Sequence, residues 1–207
     1  MDRRRGTLVI ACGALAREIV ALKRANGWNA LDAVYLPPEL HNRPEKIPGA
    51  VAEKIREYRD RYERIFVAYA DCGTGGRLDA VLKEAGVERI PGAHCYEFFA
   101  SPAVFAALAA AEPGTFYLTD FLLRHFDRLV TRELGLDRHP ELRDTYFANY
   151  RRLVYLAQAR SPEAEREAQA IAERMGLTLE IHYTGYGGLE QSLEHVVAAS
   201  AVGVWQR

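Results

Sequence analysis

The chain of 207 residues is long enough for one large domain or two small ones, and 49% hydrophobic with 27% charged residues is an ordinary globular composition. Its net charge of −1 gives no sign of a nucleic-acid partner, and no stretch of about 18 uncharged apolar residues predicts a membrane span. Three cysteines do not make a disulfide framework, so we expect a reducing, cytoplasmic location.

Strands and helices alternate through the first half of the chain. Strands are predicted over residues 7–11, 33–36, 65–70 and 87–90, and helices over 14–25, over 45–62 and from the glycine-rich turn at 73–76 to about Ala85. This alternation is typical of an α/β protein with a doubly wound, mostly parallel sheet, Rossmann-like in three layers.

The second half repeats the rhythm without a convincing sequence repeat. Helices are predicted over 101–112, 120–134, 141–150, from Ser161 onward and over 189–200, with strands over 115–118, 152–156 and 177–181. No low-complexity linker divides the halves. We therefore expect a single domain over 1–207, with a first half at 1–112, a helical lid at 115–150 over the sheet edge, and a second half at 151–207.

Each of the three cysteines follows a predicted strand. Cys12, Cys72 and Cys95 come after the strands at 7–11, 65–70 and 87–90. Because the carboxyl ends of parallel strands meet at one edge of a sheet, we expect the three thiols to converge there. Thiolates bind zinc and iron, so the pattern predicts a metal or iron–sulfur centre. The alternatives are a reactive catalytic thiol and plain apolar core filling.

The chemistry of that centre depends on its fourth position. Cys12 and Cys72 precede predicted helices, whose positive N-terminal ends would lower the thiol pKa. A zinc ion would leave its fourth site to His41, His94, water or a substrate thiol. A 4Fe-4S cluster held by three cysteines would leave one iron for substrate. The lack of C-x-x-C pairs favours the cluster as first choice, with zinc as the alternative.

Other residue types at this edge predict supporting roles. His94 and Glu97 flank Cys95 and are candidates for proton transfer, and His41 is a candidate ligand or a local backbone cap. Glycines beside the cysteines and in two turns are predicted to admit a cofactor or to hold an anion on backbone N–H groups. They are Gly13, Gly73, Gly75, Gly76, Gly187 and Gly188.

Five segments spread along the chain carry a resemblance to a known family. They are Ile10-Ala11-Cys12-Gly13, Leu40-His41-Asn42-Arg43-Pro44, Tyr69-Ala70-Asp71-Cys72-Gly73, Ile90-Pro91-Gly92-Ala93-His94-Cys95 and Pro113-Gly114-Thr115-Phe116-Tyr117-Leu118-Thr119. The chain resembles the domain of unknown function 1638 family. The resemblance implies no established reaction. Genes of relatives lie near corrinoid-dependent methyltransferases, which implies a context in methyl-group or one-carbon metabolism.

These observations together predict a metal- or cluster-dependent enzyme, a lyase or transferase, acting on a small anionic molecule. One alternative is zinc-thiolate methyl transfer. A second is a non-catalytic cofactor carrier that partners a corrinoid or methyltransferase protein. A third is an interaction domain with a structural metal. Neither a nucleic acid nor a membrane is expected as a partner.

Overall fold

The computed structural model describes residues 5–202, and these residues form two compact units, each with its own parallel sheet. The first unit ends at Phe98 and resumes at Gly188, and the second is Phe99–Gly187. The predicted α/β class with parallel strands is confirmed. The sequence predicts one sheet, but the first sheet ends at the two-residue strand β4 (Glu88–Arg89), and later strands form a separate sheet.

The first unit is built on a central strand that is buried on both faces. Its strands are all parallel, in the order β2-β1-β3-β4, with β1 at Arg5–Cys12, β2 at Leu31–Leu36 and β3 at Tyr62–Ala68. Residues 8–11 of β1 are all fully buried, as expected for a strand between two helical layers. The helices are α1 (Ala16–Asn26), α2 (Ile47–Tyr58), α3 (Arg77–Ala85) and α4 (Cys95–Ala100).

The second unit contains a three-stranded parallel sheet in the order β5-β6-β7. Its strands are β5 (Thr115–Thr119), β6 (Arg152–Ala157) and β7 (Thr178–Tyr183). Its helical pieces are α5 (Pro102–Ala111), α6 (Asp120–Arg124), a π-helical segment at Asp127–Thr131, α7 (Leu142–Tyr146) and α8 (Pro162–Met175). The last helix, α9 (Gly187–Val202), returns the chain to the first unit.

The segment predicted as a lid supplies part of the second unit's core. It contributes strand β5, and Phe126, Val130 and Phe147 from it pack with Leu118 and Leu153 of the sheet. The single helix predicted over 120–134 is interrupted after α6, where the backbone leaves helical geometry before the π-helical segment. Residues 115–150 are therefore integral to the hydrophobic core of their unit.

Across residues 5–202, none of the helices combines the length and the apolar character that crossing a bilayer requires.

Candidate functional site

The carboxyl edge of the first sheet is where all three cysteines occur. The chain runs from β1 to β2 on one side, then forms β3 on the other side of β1, so the strand order reverses between β1 and β3. Parallel α/β sheets bind ligands at such a reversal, outside the carboxyl ends of the strands. Cys12 ends β1, Cys72 follows β3 and Cys95 follows β4, as the sequence predicts.

Cys12 is paired with a histidine that the turn after β2 delivers. Its Sγ lies 3.7 Å from Nδ1 of His41, in the 3-10 turn Pro38–Asn42. The same Nδ1 lies 3.2 Å from the carbonyl oxygen of Pro38, and since a carbonyl only accepts, we assign the proton to Nδ1 and the lone pair to Nε2. Burial lowers the pKa of His41, and the charge of nearby His94 also lowers it. The ring is therefore neutral near pH 7, the form that binds metals.

Gly13 makes the approach of that turn possible. A Cβ at position 13 would lie 3.0 Å from the carbonyl oxygen of Leu36 and 3.1 Å from Cδ of Pro38. Both distances are shorter than ordinary side-chain contacts, so any larger residue would push the turn away from Cys12. Gly13 thus has a packing role that brings His41 to the edge, which is a different role from the cofactor contact predicted for it.

Cys72 lies in a turn whose backbone is left-handed at several positions. Cys72 itself has φ of 50°, which few residues other than glycine adopt. Gly73, Gly75 and Gly76 have φ of 83°, 61° and 79°, so the three glycines supply the conformations that this turn requires. The turn ends where α3 begins at Arg77.

The carboxylate of Asp71 occupies the N–H groups of this turn. It accepts hydrogen bonds from the hydroxyl of Thr74 at 2.6 Å and from the N–H groups of Gly75 and Gly76 at 3.0 and 2.8 Å. These bonds, chiefly the one from Thr74, lower the pKa of Asp71. Contrary to the predicted anion site, neither of these glycine N–H groups is available to an external anion while Asp71 holds them.

The turn that carries Cys95 is joined to the Cys72 turn. The N–H of Cys72 donates to the carbonyl oxygen of Ala93 at 2.8 Å, which extends the contact between β3 and β4 beyond the strands. The N–H of Ala93 in turn donates to Oε2 of Glu97 at 2.8 Å. Glu97 therefore braces the turn before Cys95, and proton transfer by Glu97 stays a prediction.

Burial keeps the three neighbouring thiols protonated in the protein without metal. It raises the pKa of Cys12 to about 12 and of Cys72 to about 11, and it raises the pKa of Cys95 well above 9.0. Charge on Cys72 raises the pKa of both other thiols, and charge on Cys12 raises that of Cys95, so all three are electrostatic neighbours. The predicted lowering of thiol pKa is wrong. Cys12 precedes only a three-residue 3-10 helix, and a four-residue turn separates Cys72 from α3.

Tyr69 is a component of this edge that the sequence analysis treats only as strand and motif. It is 1% exposed, and its ring stacks on His41 with centroids 6.1 Å apart and planes 14° apart. Its buried hydroxyl makes no hydrogen bond of ordinary geometry to a described residue, but it lies close enough to the Cys12 thiol for a weak contact that affects the pKa of both groups. Burial raises the pKa of Tyr69, and charge on Cys12 and Cys72 raises it further, which places the hydroxyl beside the thiols. An alternating strand pattern gives no signal for such an unpaired hydroxyl.

Arg89 is the second residue that sequence reasoning missed. Its guanidinium binds the carboxylate of Asp79 through two hydrogen bonds of 2.6 and 3.0 Å, and its Nη1 donates to the carbonyl oxygen of Ile90 at 2.7 Å. Arg89 thus ties the end of β4 to α3. Burial dominates the pKa of Cys72, but the positive charge of Arg89 opposes that effect. Alternating charges like those around position 89 are common on protein surfaces, so the sequence pattern did not indicate this role for Arg89.

Two findings limit what this edge can hold in the described conformation. Among residues 5–202, no group of three or more His, Cys, Asp and Glu side chains is arranged to hold a metal ion. The glycines predicted at the last turn open α9, and a Cβ on Gly188 would lie 3.1 Å from the carbonyl oxygen of Phe98. Gly188 therefore permits close packing within the first unit, and anion binding by Gly187 and Gly188 stays a prediction.

The fold and the site define a parallel α/β protein with three cysteines at the carboxyl edge of its first sheet, of which Cys12 and Cys72 are buried and Cys95 is partly exposed. The chain belongs to the family described as "Protein of unknown function (DUF1638)", whose model matches residues 35–193. The predicted family is thereby confirmed, over a range that includes His41, Cys72 and Cys95. No curated protein matches the chain.

Proposed function

We propose that this protein binds a metal centre, with a 4Fe-4S cluster as first choice, through Cys12, Cys72 and Cys95, and acts with it on a small anionic substrate. What supports the proposal is that three cysteines from distant segments follow parallel strands of one sheet at the same edge, and that charge on Cys72 raises the pKa of the other two thiols. Core filling alone does not require three thiols to converge where parallel sheets bind ligands.

The donor set and its surroundings fit such a centre. Thiolates are the usual ligands of iron–sulfur clusters, and the neutral imidazole of His41 lies beside one of them. The hydroxyl of Tyr69 is buried next to the thiols, and among the described residues it makes no hydrogen bond of ordinary geometry, only a weak contact with Cys12. Buried hydroxyls nearly always have a partner, so a group bound at this edge would explain it.

The arrangement of the donors favours a cluster over a single zinc ion. Zinc with Zn–S bonds of about 2.3 Å needs its sulfurs about 3.8 Å apart. No three donors in the described residues are placed to hold one ion. A cluster gives each thiolate its own iron and spans a wider gap, so it asks for less movement of the three turns. Zinc remains the second candidate because a thiol and a neutral imidazole with its lone pair on Nε2, those of Cys12 and His41, are neighbours at this edge, and both are zinc-type ligands.

The remaining residues would act on whatever the centre binds. When bound, a cluster with three protein ligands supplies one iron that is open to a substrate oxygen as a Lewis acid. The neutral ring of His41 and the nearby His94 would hold or move a proton. Tyr69 would donate a hydrogen bond into the site. The reaction class, the one-carbon context and a corrinoid or methyltransferase partner are carried over from the sequence analysis as part of the proposal.

Anaerobic purification followed by iron, sulfide and zinc analysis tests the proposal. We expect about four irons and four sulfides per chain, with visible charge-transfer absorption, in the native or reconstituted protein. Cys12→Ala, Cys72→Ala and Cys95→Ala should each lose most of the metal. His139→Ala is the matched control, because His139 is exposed and pairs with Glu141.

The alternatives give different results in the same experiment. Colourless protein with about one zinc per chain, lost in the cysteine variants, would replace the cluster with the zinc centre. If neither metal binds after reconstitution, or if the cysteine variants bind as much as the His139→Ala control, the proposed centre is refuted.

A further inference from the structure

The strand ladder on one side of β3 is incomplete. β1 pairs with β3 from Tyr62 to Ala68, whereas β4 pairs with β3 only opposite Phe66 and Val67. Residues 62–65 of β3 therefore have no strand beside them on the β4 side in the described part of the chain. Four residues of a strand span about 13 Å, so the missing length of β4 corresponds to a short extended segment.

The backbone of β3 directs hydrogen-bonding groups towards this gap. The N–H of Ile90 donates to the carbonyl oxygen of Val67 at 3.1 Å, so the backbone groups of Val67 face the β4 side. Backbone groups alternate between the two sides of a strand, so those of Ile65 and Glu63 face the same way as those of Val67. Glu63 lies beyond the end of β4, so its N–H and C=O have no strand partner on that side among the described residues. Such an edge can pair with an additional strand.

A pocket of about 530 Å³ lies beside the unpaired part of β3. It is lined by residues 62–65 of β3, by residues 86–88, which lead into β4, and by Ile55, Arg59 and Asp60 at the end of α2. The pocket is thus in line with β4, at the position that a longer β4 would fill. Its lining carries both arginines and carboxylates, so its charges do not select a ligand of one sign.

Arg64 indicates that a ligand of this pocket has hydrogen-bond acceptors. Its Nη1 is buried and makes no hydrogen bond to any described residue, and its side chain lines the pocket. Buried polar nitrogens nearly always have an acceptor, because burial without one is unfavourable. A carbonyl oxygen in the pocket, reached by rotation of the guanidinium group, would supply that acceptor.

We propose that this gap binds an extended, uncharged peptide segment, which continues the line of β4 along β3 and accepts a hydrogen bond from Arg64. Strand addition uses main-chain hydrogen bonds for affinity and contacts of alternate side chains for specificity. The half-buried Ile65 and Val87 in the lining offer an apolar surface to such side chains. The site lies at the amino end of β3, whereas Cys72 follows its carboxyl end, so it does not depend on the proposed metal centre.

Arg64→Gln and Arg56→Gln are the matched variants that test the site. Arg64→Gln keeps a polar side chain and breaks no hydrogen bond to a described residue. Arg56 is exposed on α2, outside the pocket lining, and serves as the control. Urea unfolding should show both variants folded, with the midpoint of Arg64→Gln equal to or above that of the unsubstituted protein.

NMR titration of the isotope-labelled full chain with a hexapeptide of alternating threonine and valine, blocked at both ends, gives the readout. We expect saturable shifts of the Glu63 and Ile65 amides, with binding weakened about tenfold by Arg64→Gln and unchanged by Arg56→Gln. Two further peptides carry N-methyl groups, one on the odd and one on the even peptide bonds. Only one of them should lose binding, because only alternate N–H groups face the neighbouring strand.

Three results of this titration would overturn the proposal. They are no shift of the Glu63 and Ile65 amides, equal loss of binding with both methylated peptides, and equal weakening by the two substitutions. Shifts of the same amides with protein concentration alone, without peptide, would show that a second copy of the chain covers this edge, and that result also overturns the proposal.

Discussion

Replacing Tyr69 with Phe should stabilise the metal-free protein. The hydroxyl of Tyr69 is buried in a side chain that is 1% exposed, and it makes no hydrogen bond of ordinary geometry to a described residue, with the thiol of Cys12, a weak acceptor, as its neighbour. Leaving a buried polar group unpaired costs about 1–3 kcal/mol, and Phe keeps the ring that stacks on His41. We therefore expect the free energy of unfolding to rise by about 1–3 kcal/mol, less the loss of the weak contact to Cys12 and of packing around one oxygen atom.

The chain offers a matched control in the second unit. Tyr155 is also 1% exposed, but its hydroxyl donates to Oδ1 of Asp120 at 2.7 Å. A hydrogen bond to a charged group contributes about 1.5–3 kcal/mol, and its removal leaves Asp120 with one partner fewer. Tyr155→Phe is therefore the same chemical change at equal burial, with the opposite expected sign.

Urea unfolding followed by circular dichroism measures both substitutions, first without metal and then in reconstituted protein. The advantage of Tyr69→Phe should shrink or reverse once a bound group accepts the tyrosine hydrogen bond. If Tyr69→Phe destabilises the metal-free protein as much as Tyr155→Phe does, the hydroxyl has a partner and the reasoning fails.

Two further predictions concern the close contact between Gly13 and the turn after β2, and the titration of the thiols. Gly13→Ala should displace Pro38 and cost about 1–3 kcal/mol with loss of metal binding. Gly49→Ala, in α2 with no atom within 4 Å of the added Cβ, should stabilise by about 0.5–1 kcal/mol in the same urea assay. Burial raises the pKa of Cys12 and Cys72 in the folded protein above their pKa in the unfolded chain. Their contribution to the free energy of unfolding is therefore complete below pH about 9 and is lost as the pH rises towards 11–12, because the unfolded chain releases these protons first.

Each of these predictions has a result that contradicts it. Equal effects of Gly13→Ala and Gly49→Ala would show that the turn after β2 relaxes freely. For the thiols, the urea concentration at the unfolding midpoint of the metal-free protein should decrease as the pH is raised above about 9. This decrease should be smaller in Cys12→Ala. A profile that is the same in both proteins would mean that Cys12 is hydrated in the folded state.

The strand–helix alternation was predictable because its physical cause is local. Short apolar runs such as 7–11 and 65–68, each followed by a turn, are typical of central strands of a parallel sheet, and the residues after them lie at its carboxyl edge. The division into two sheets was not predictable, because the chain passes from β4 to β5 through helices and not through a linker of distinctive composition. The helix α4 was also missed, since Ser101, with φ of 74°, separates it from α5 in a way that composition does not reveal.

The candidate site shows the same limit at the level of single side chains. Sequence placed Cys12, Cys72 and Cys95 at one edge, because strand polarity fixes where each thiol emerges. It gave the wrong direction for the thiol pKa, because the effect of burial depends on tertiary packing and exceeds that of a short helix. It also assigned the glycine N–H groups to a ligand, whereas Asp71 from the same turn already accepts from two of them.

The left-handed backbone at Cys72 affects which residue at this position selection for thermostability would favour. A residue with a side chain at φ of 50° loses about 1–3 kcal/mol relative to a relaxed conformation, and glycine would avoid most of that loss. Selection for thermostability alone would therefore favour Cys72→Gly, whereas selection for a sulfur at this turn opposes it. Under the proposed function, stability favours glycine at position 72 whereas binding of the metal centre favours cysteine.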